Sequence, residues 1–268
     1  MTFLQRTFGK NYKWIYIARF SFMSEAGDKL GFFAKYLSAI LLVVANAYVW
    51  FLAGTNSSIF TYLLVGRVYF ELTSNNYYYR LTNLIISGNI NKMLYPVNFF
   101  GYQYFESLGT RLIKNALSIG GTLLGVLICL LWFAKIDPPS IQTFYLIPMT
   151  FIGFTIYQAI GIIVGSITFW LKNPRDSDGI HQSIGAVIWI FAGVIVPLSK
   201  MPTWLGDFLA LFPFSFLLHH PMQIYLGKYN NLQILQTFVG GIMWCITLWI
   251  LARLVFKAGL KRNESVGL

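Results

Sequence analysis

Long apolar runs alternate with short polar breaks along this chain, and the breaks are too brief to form domains of their own. Six runs follow one another, over residues 30–53, 59–79, 105–134, 144–171, 180–196 and 232–256. A helix crossing a hydrocarbon layer roughly 30 Å thick needs about 20 predominantly apolar residues, and these runs approach or exceed that length. Their apolar positions are continuous rather than alternating at period two, so the strands of a membrane β-barrel are excluded. The pattern predicts an all-α integral membrane protein with a single transmembrane domain over residues 1–268. Its parts are a six-helix core over 30–256, an N-terminal interfacial segment over 1–28 and a short tail over 257–268.

The breaks carry signals of their own. Residues 1–28 mix Trp14, Ile15, Tyr16, Ile17, Phe20 and Phe22 with Arg6, Lys10, Lys13 and Arg19, which fits an interfacial helix rather than a removable signal peptide with a compact apolar core. Between the second and third runs, at the helical period, Ile86, Ile90, Met93, Leu94 and Val97 fall on one side, and Ser87, Asn91, Lys92 and Tyr95 on the other. This predicts a short amphipathic helix that Gly88 either starts or loosens. It ends or bends at Pro96, whose ring and missing N–H interrupt the preceding turn. Between the fifth and sixth runs, Pro197, Pro202, Pro213 and Pro221 punctuate an apolar stretch that is neither a span nor a soluble loop. Trp204, Leu205, Phe208, Leu209 and Phe212 form a helical stripe there, predicting a segment that dips into the outer leaflet. It is read either as a surface helix or as a re-entrant lid built from Pro197, Pro202, Trp204, Phe208, Phe212 and Pro213.

With 56% hydrophobic and only 11% charged residues, and a mean hydropathy of +0.61, the chain is too apolar for a soluble domain, where about a quarter of residues are charged. Its net charge of +11 does not point to nucleic acid, because the basic residues cluster in the breaks instead of forming one basic face. They set orientation, since Lys and Arg concentrate in cytoplasmic segments. Arg6, Lys10, Lys13, Arg19, Lys29, Lys35, Arg80, Lys92, Arg111, Lys114, Lys172, Arg175, Arg253, Lys257, Lys261 and Arg262 fall on one side, against Lys135, Lys200 and Lys228 on the other. Both termini and the stretch 86–96 are therefore expected in the cytoplasm, in a multi-pass protein of the cell membrane. Cys129 and Cys245 lie within apolar runs, where a thiol acts as a small hydrophobe and no disulfide is expected.

Arg67 and Glu71 stand one helical turn apart in the second run, on one face. Charges at membrane depth are costly and seldom face lipid. The pair is thus either a polar lining or gate, or a buried structural ion pair. Two small-xxx-small patterns, Gly121 with Gly125 and Gly161 with Gly165, permit close helix approach. His219 and His220 are adjacent, without the spacing or company of a metal site. No phosphate-binding loop, H-E-x-x-H or G-x-S-x-G motif occurs, so the chain is not expected to be an enzyme.

Ile86, Ser87 and Gly88 followed by Met93, Leu94, Tyr95 and Pro96 form the first part of an ordered punctuation. Val196, Pro197 and Leu198, with Met201, Pro202, Thr203 and Trp204, form the next, and Phe212, Pro213, Phe214, Pro221 and Gly227 complete it. In this order the chain resembles the membrane-spanning permeases of type-two ABC exporters, over nearly its whole length. The branch it resembles has a short cytoplasmic coupling helix between spans two and three. One position departs from the pattern, since the residue before the coupling-helix proline is often basic in the family and is Tyr95 here. The resemblance implies a six-span permease subunit that pairs with a second permease, identical or closely related, and with two separate cytoplasmic ATP-binding subunits. Gly88, Asn89, Ile90, Lys92, Met93, Leu94, Tyr95 and Pro96 would couple to those subunits. ATP and Mg would be held there, and this chain would bind no cofactor and contact only lipid besides. Two other classes compete: a secondary transporter driven by an ion gradient, marked by internal repeats and broken midplane helices, and a non-transporting scaffold or intramembrane enzyme.

Overall fold

The computed structural model describes residues 29–74, 77–86, 99–171 and 176–265, and all regular structure among them is helical. In chain order α1 is Lys29–Leu52, α2 Ser57–Thr73, α3 Tyr77–Ile86, α4 Phe99–Trp132 and α5 Leu146–Ser166. They are followed by α6 Ser177–Phe191, α7 Thr203–Ala210, α8 His219–Tyr225 and α9 Asn231–Ser265. Short 3-10 turns occupy Ile141–Tyr145, Ile167–Trp170, Leu198–Lys200 and Pro213–Leu217. The predicted interfacial segment 1–28 and the predicted coupling residues from Gly88 to Pro96 lie outside the described residues.

The helices depart from the apolar runs where local chemistry interrupts them. The run 59–79 is not one helix, because α2 stops at Thr73 and α3 starts at Tyr77 and continues to Ile86. Ser74 is extended, at φ −74 and ψ 150, and its N–H closes the last turn on the Phe70 carbonyl. Ser74 is a short polar residue of a type whose side chain competes with helical bonding. The helix α6 ends at Phe191 instead of reaching residue 196, since Gly193 turns the chain at φ 81. A Cβ there would also lie 2.5 Å from the Tyr62 hydroxyl. At the other end of the chain, α9 runs through most of the expected tail to Ser265.

Among the described residues, two stretches are long and apolar enough to cross a membrane, Ile141–Trp170 with 30 residues and Asn231–Arg262 with 32, and Tyr36–Leu52 and Ile119–Trp132 are shorter apolar helices. The centre of the bundle is α2 with α5. Along α2, Ile59, Phe60, Tyr62, Leu63, Leu64, Tyr69 and Phe70 are all buried, too many directions for a one-sided helix. α9 packs along α5, α3 against α5, and α1 along α4. The last contact uses the first glycine pattern: a Cβ on Gly121 would lie 2.5 Å from the Tyr36 carbonyl oxygen, and one on Gly125 3.1 Å from Val43 Cβ. Gly165 of the second pattern meets Leu81 of α3, at 2.9 Å for a built Cβ. Both cysteines are free, and Cys129 is buried in the cluster where α1, α2 and α4 meet.

The outer faces of α1, α4 and α9 expose large apolar side chains in rows, among them Leu41, Leu127, Leu131, Leu235, Val239, Ile242, Ile246 and Ile250. An exterior of this kind suits lipid or a membrane partner and is unsuited to water.

The glycine contacts give a paired prediction. Gly121→Ile must push α1 off α4 and should destabilise the protein by about 1–3 kcal/mol, read as a lower midpoint of thermal unfolding in detergent. Gly179→Ala, on α6 with nothing within 4 Å of its built Cβ, should raise the midpoint through helix propensity worth about 0.5–1 kcal/mol. Equal behaviour of the two variants would remove the close-approach account of the α1–α4 contact.

Candidate functional site

Although α2 is enclosed, it carries two charges near its middle. Residues four apart on a helix face the same way, and the Arg67 Nη2 donates to Glu71 Oε1 at 2.6 Å, with each side chain 13% exposed. Trp189 of α6 lies over the guanidinium, 4.9 Å from Arg67 Cζ to the ring centroid. The π face of an indole attracts a cation, more strongly where water is excluded. The Arg67 Nε and Nη1 are buried with no acceptor among the described residues. A buried donor left so costs about 1–3 kcal/mol.

Beside this group lies a cavity of about 440 Å³. α1 contributes Leu42, Val43 and Ala47, α2 contributes Leu63, Leu64 and Arg67, α6 contributes Trp189, and Val194 and Leu218 come from the chain beyond α6. Trp50 of α1 also lines it and donates its Nε1–H to the Ile195 carbonyl at 3.3 Å, tying α1 to the turn after α6. The volume falls in the range of small-molecule pockets, which are mostly apolar with a few polar groups.

The chain beyond α6 folds back into the bundle, with Pro213–Leu217 as its most enclosed turn. Thr73 Oγ1, at the end of α2, donates to the Leu217 carbonyl at 3.2 Å. Built Cβ atoms on Gly153 of α5 and Gly241 of α9 would lie 3.2 Å from Phe216. Irregular backbone in apolar surroundings must find polar partners. Here the carbonyls ending α7 are met by side chains. Ser215 Oγ shares its proton between Ala210 and Phe212 at 2.8 and 2.7 Å, and Trp244 Nε1–H donates to Leu211 at 3.0 Å. His220 Nε2–H donates to Ala210 at 3.0 Å, which leaves Nδ1 to accept from the Tyr229 hydroxyl at 2.8 Å. Both bonds suit a neutral ring, and burial in this connector pushes the His220 pKa down to about 4.

Of the predicted lid residues, Pro197 and Pro213 are buried, Pro202 is exposed, and Phe212 is half-buried with its ring 5.0 Å from that of Phe208. Trp204 and Phe208 point outward from α7, at 71% and 54% exposure, whereas Leu209 points inward. The surface part of the connector is therefore α7, and the inserted part begins at Pro213. At the opposite end of the bundle a buried polar cluster joins three elements: Thr82 Oγ1 of α3 lies 3.0 Å from Thr168 Oγ1 and 3.3 Å from His181 Nε2 of α6. Sequence reasoning missed this cluster, and it missed Trp189 and the cavity. Their members come from separate runs, so no spacing along the chain links them.

The model of a family described as ABC-2 family transporter protein matches residues 31–267. No curated protein matches the chain.

The ion pair generates a double-variant prediction. Arg67→Met or Glu71→Gln alone breaks the pair and should cost about 3–5 kcal/mol, seen as poor recovery and a lowered unfolding midpoint. The double variant removes both charges together and should recover most of that loss. A double variant as unstable as the singles would show that the two side chains do not depend on one another.

Proposed function

We propose, from the premise that the chain belongs to the ABC-2 family of transporter proteins, that it is the permease subunit of an exporter powered by separate ATP-binding subunits. The match over residues 31–267 carries this reading. In it the six spans are α1, α2 continued by α3, α4, α5 with its flanking 3-10 turns, α6 and α9. The end bearing Asp137 and α7 faces outward, and the end bearing Thr168, His181 and the close of α9 faces the cytoplasm of a cell-membrane protein. The charge distribution supports that orientation. The functional unit pairs two permeases with two ATP-binding subunits, which hold ATP and Mg and perform the hydrolysis.

The stretch 86–96 is the contact to those subunits. The helix α3 leads into it at Ile86 and is anchored in the bundle by Leu81, which is fully buried. Ile90, Met93 and Leu94 would bury against a subunit groove, each worth roughly 1.5–3 kcal/mol. The interruption between α2 and α3 is the observation that favours the other reading, an ion-gradient transporter, because such folds break helices near the midplane. Dependence of transport on ATP hydrolysis rather than on an imposed gradient separates the two.

Orientation is checked by impermeant thiol labelling of single cysteines in intact cells, after Cys129 and Cys245 are replaced by alanine. Lys135→Cys and Lys228→Cys should label from outside, and Lys92→Cys and Arg175→Cys only after permeabilisation. Labelling of Lys92→Cys from outside would reverse the orientation and remove the coupling role.

For coupling itself, Met93→Asp with Leu94→Asp should leave insertion and permease pairing intact. The variant should lose either co-purification of the ATP-binding subunits or the stimulation of hydrolysis by transport, because unpaired charges in a groove cost more than the contact gains. Wild-type binding and transport together in this variant would reduce the stretch to a connector.

A further inference from the structure

We infer that the exposed side of α9 ends in a binding surface for the headgroups of anionic phospholipids, formed by Arg253, Lys257 and Lys261. Leu232, Val239, Met243, Ile246, Ile250 and Leu254 are exposed along one side of this helix. At the helical period Lys257 and Lys261 fall on that same side and Arg253 on its flank, and all three are exposed. From Leu232 to Leu254 the row rises about 33 Å at the standard helical rise, close to the roughly 30 Å of a hydrocarbon core. Lys257 lies about 4.5 Å farther along, which puts it among the headgroups, and Lys261 reaches back toward that depth on its long flexible stem.

These basic groups stand on a fixed element. Behind them the Phe256 ring stacks on Phe99 at the start of α4, with centroids 4.9 Å apart, and Gly259 meets Phe169 with no room for a Cβ. Neither lysine has an ion-pair partner among the described residues. Arg253 Cζ lies 5.9 Å from the centroid of the Phe100 ring, which keeps the guanidinium beside the row. Depth and charge together select the occupant. Two copies of this chain packed through this side, about an axis normal to the membrane, would bring identical basic rows together at one depth, where they repel. A lipid phosphate brings the opposite charge to that depth, and its acyl chains continue along the apolar row. A zwitterionic headgroup carries its own cation, which offsets the attraction, whereas an anionic headgroup does not. The surface rests on α9 crossing a membrane and not on the ATP-binding partners of the permease reading.

The test uses the purified full-length chain in a neutral detergent. Dioleoyl phosphatidylglycerol and dioleoyl phosphatidylcholine, which share their acyl chains, are titrated separately, and bound lipid is measured by native mass spectrometry. Each basic residue at a membrane surface favours an anionic lipid by about fivefold, so the wild type should prefer phosphatidylglycerol by roughly 100-fold. Lys257→Gln with Lys261→Gln should reduce that preference to about fivefold, through weaker binding of phosphatidylglycerol alone. Lys257→Arg with Lys261→Arg keeps the charge and should keep the preference. Lys135→Gln with Lys228→Gln removes the same charge from other exposed positions and should keep it as well. All of these side chains are exposed, so the lipid-free unfolding midpoint of each variant should match the wild type.

Equal binding of the two lipids by the wild type would overturn the assignment. So would a full preference in the double glutamine variant at 257 and 261, or an equal loss in the variant at 135 and 228. A second arm asks whether a protein takes this surface instead. Loss of the ATP-binding subunits from the variant at 257 and 261, in a chain without lipid preference, would overturn the assignment in favour of a protein contact. Failure of the wild type to assemble with those subunits would count against the permease reading and leave the lipid result standing.

Discussion

Burial of α2 on nearly all of its faces is the constraint from which the rest of the bundle follows. A helix so enclosed needs neighbours in every direction, and each neighbour is matched to a local feature of α2. Gly66 admits Leu218 and Met222 of the returning connector, with a built Cβ only 2.9 Å from Leu218. Tyr62 stands against Gly193, where the chain leaves α6, and Phe70 meets Tyr157 of α5 and Trp189 of α6 edge-on. Enclosure also decides how charge can be carried. Two ionised groups inside such a helix persist only as a pair with further polar or π contacts, and that is how Arg67, Glu71 and Trp189 are arranged.

The same requirement governs the connector between α6 and α9. Its backbone leaves regular structure inside the bundle, so its carbonyls must be met by side chains. Ser215, His220 and Trp244 come from three elements and converge on the end of α7, while Thr73 reaches Leu217. These donors tie a proline-punctuated segment to the bundle more firmly than its composition suggests. Where the connector ends, α9 starts in a reciprocal cap: the Gln233 N–H donates to Asn230 Oδ1 at 2.8 Å, and the Asn230 N–H to Gln233 Oε1 at 2.9 Å.

How much of this was legible in the sequence depended on whether the information was local. Helical class and the positions of the apolar elements followed from run length, and the pairing of Arg67 with Glu71 followed from helical spacing. The close approach at Gly121 and Gly125 was visible as a pattern, though its partner α1 was not. Boundaries failed where a single backbone event decides them, as at Ser74, which splits one run into α2 and α3, and at Gly193, which cuts α6 short. The short helix carrying Trp204 and Phe208 was legible, but its end at Ala210, the inward side of Leu209 and the deeper insertion at Phe216 were not, the last because it depends on glycines of α5 and α9. The candidate site was half legible. Its charge was in the sequence, but its walls come from α1, α6 and the returning connector, and only the fold brings them together.

The division of the second run into α2 and α3 also determines how the two ends of the bundle are connected. From Ile86, the nearest packed route into the bundle is through α3, whose Leu81 lies so close to Gly165 of α5 that a built Cβ would sit 2.9 Å away. Thr82 bonds in the same region to Thr168 and to His181 of α6. Between α3 and α2, by contrast, the helix is interrupted at Ser74. A rigid connection from Ile86 therefore reaches α5 and α6 more directly than it reaches α2. On α6, His181 and Trp189 are separated by about 12 Å of continuous helix at the standard rise. Trp189 faces Arg67, so α6 spans from the polar cluster at one end to the guanidinium at the wall of the cavity. This geometry makes α6 the element through which the Ile86 end of the bundle and the Arg67 cavity share contacts, with the cation–π contact at Trp189 as its last link.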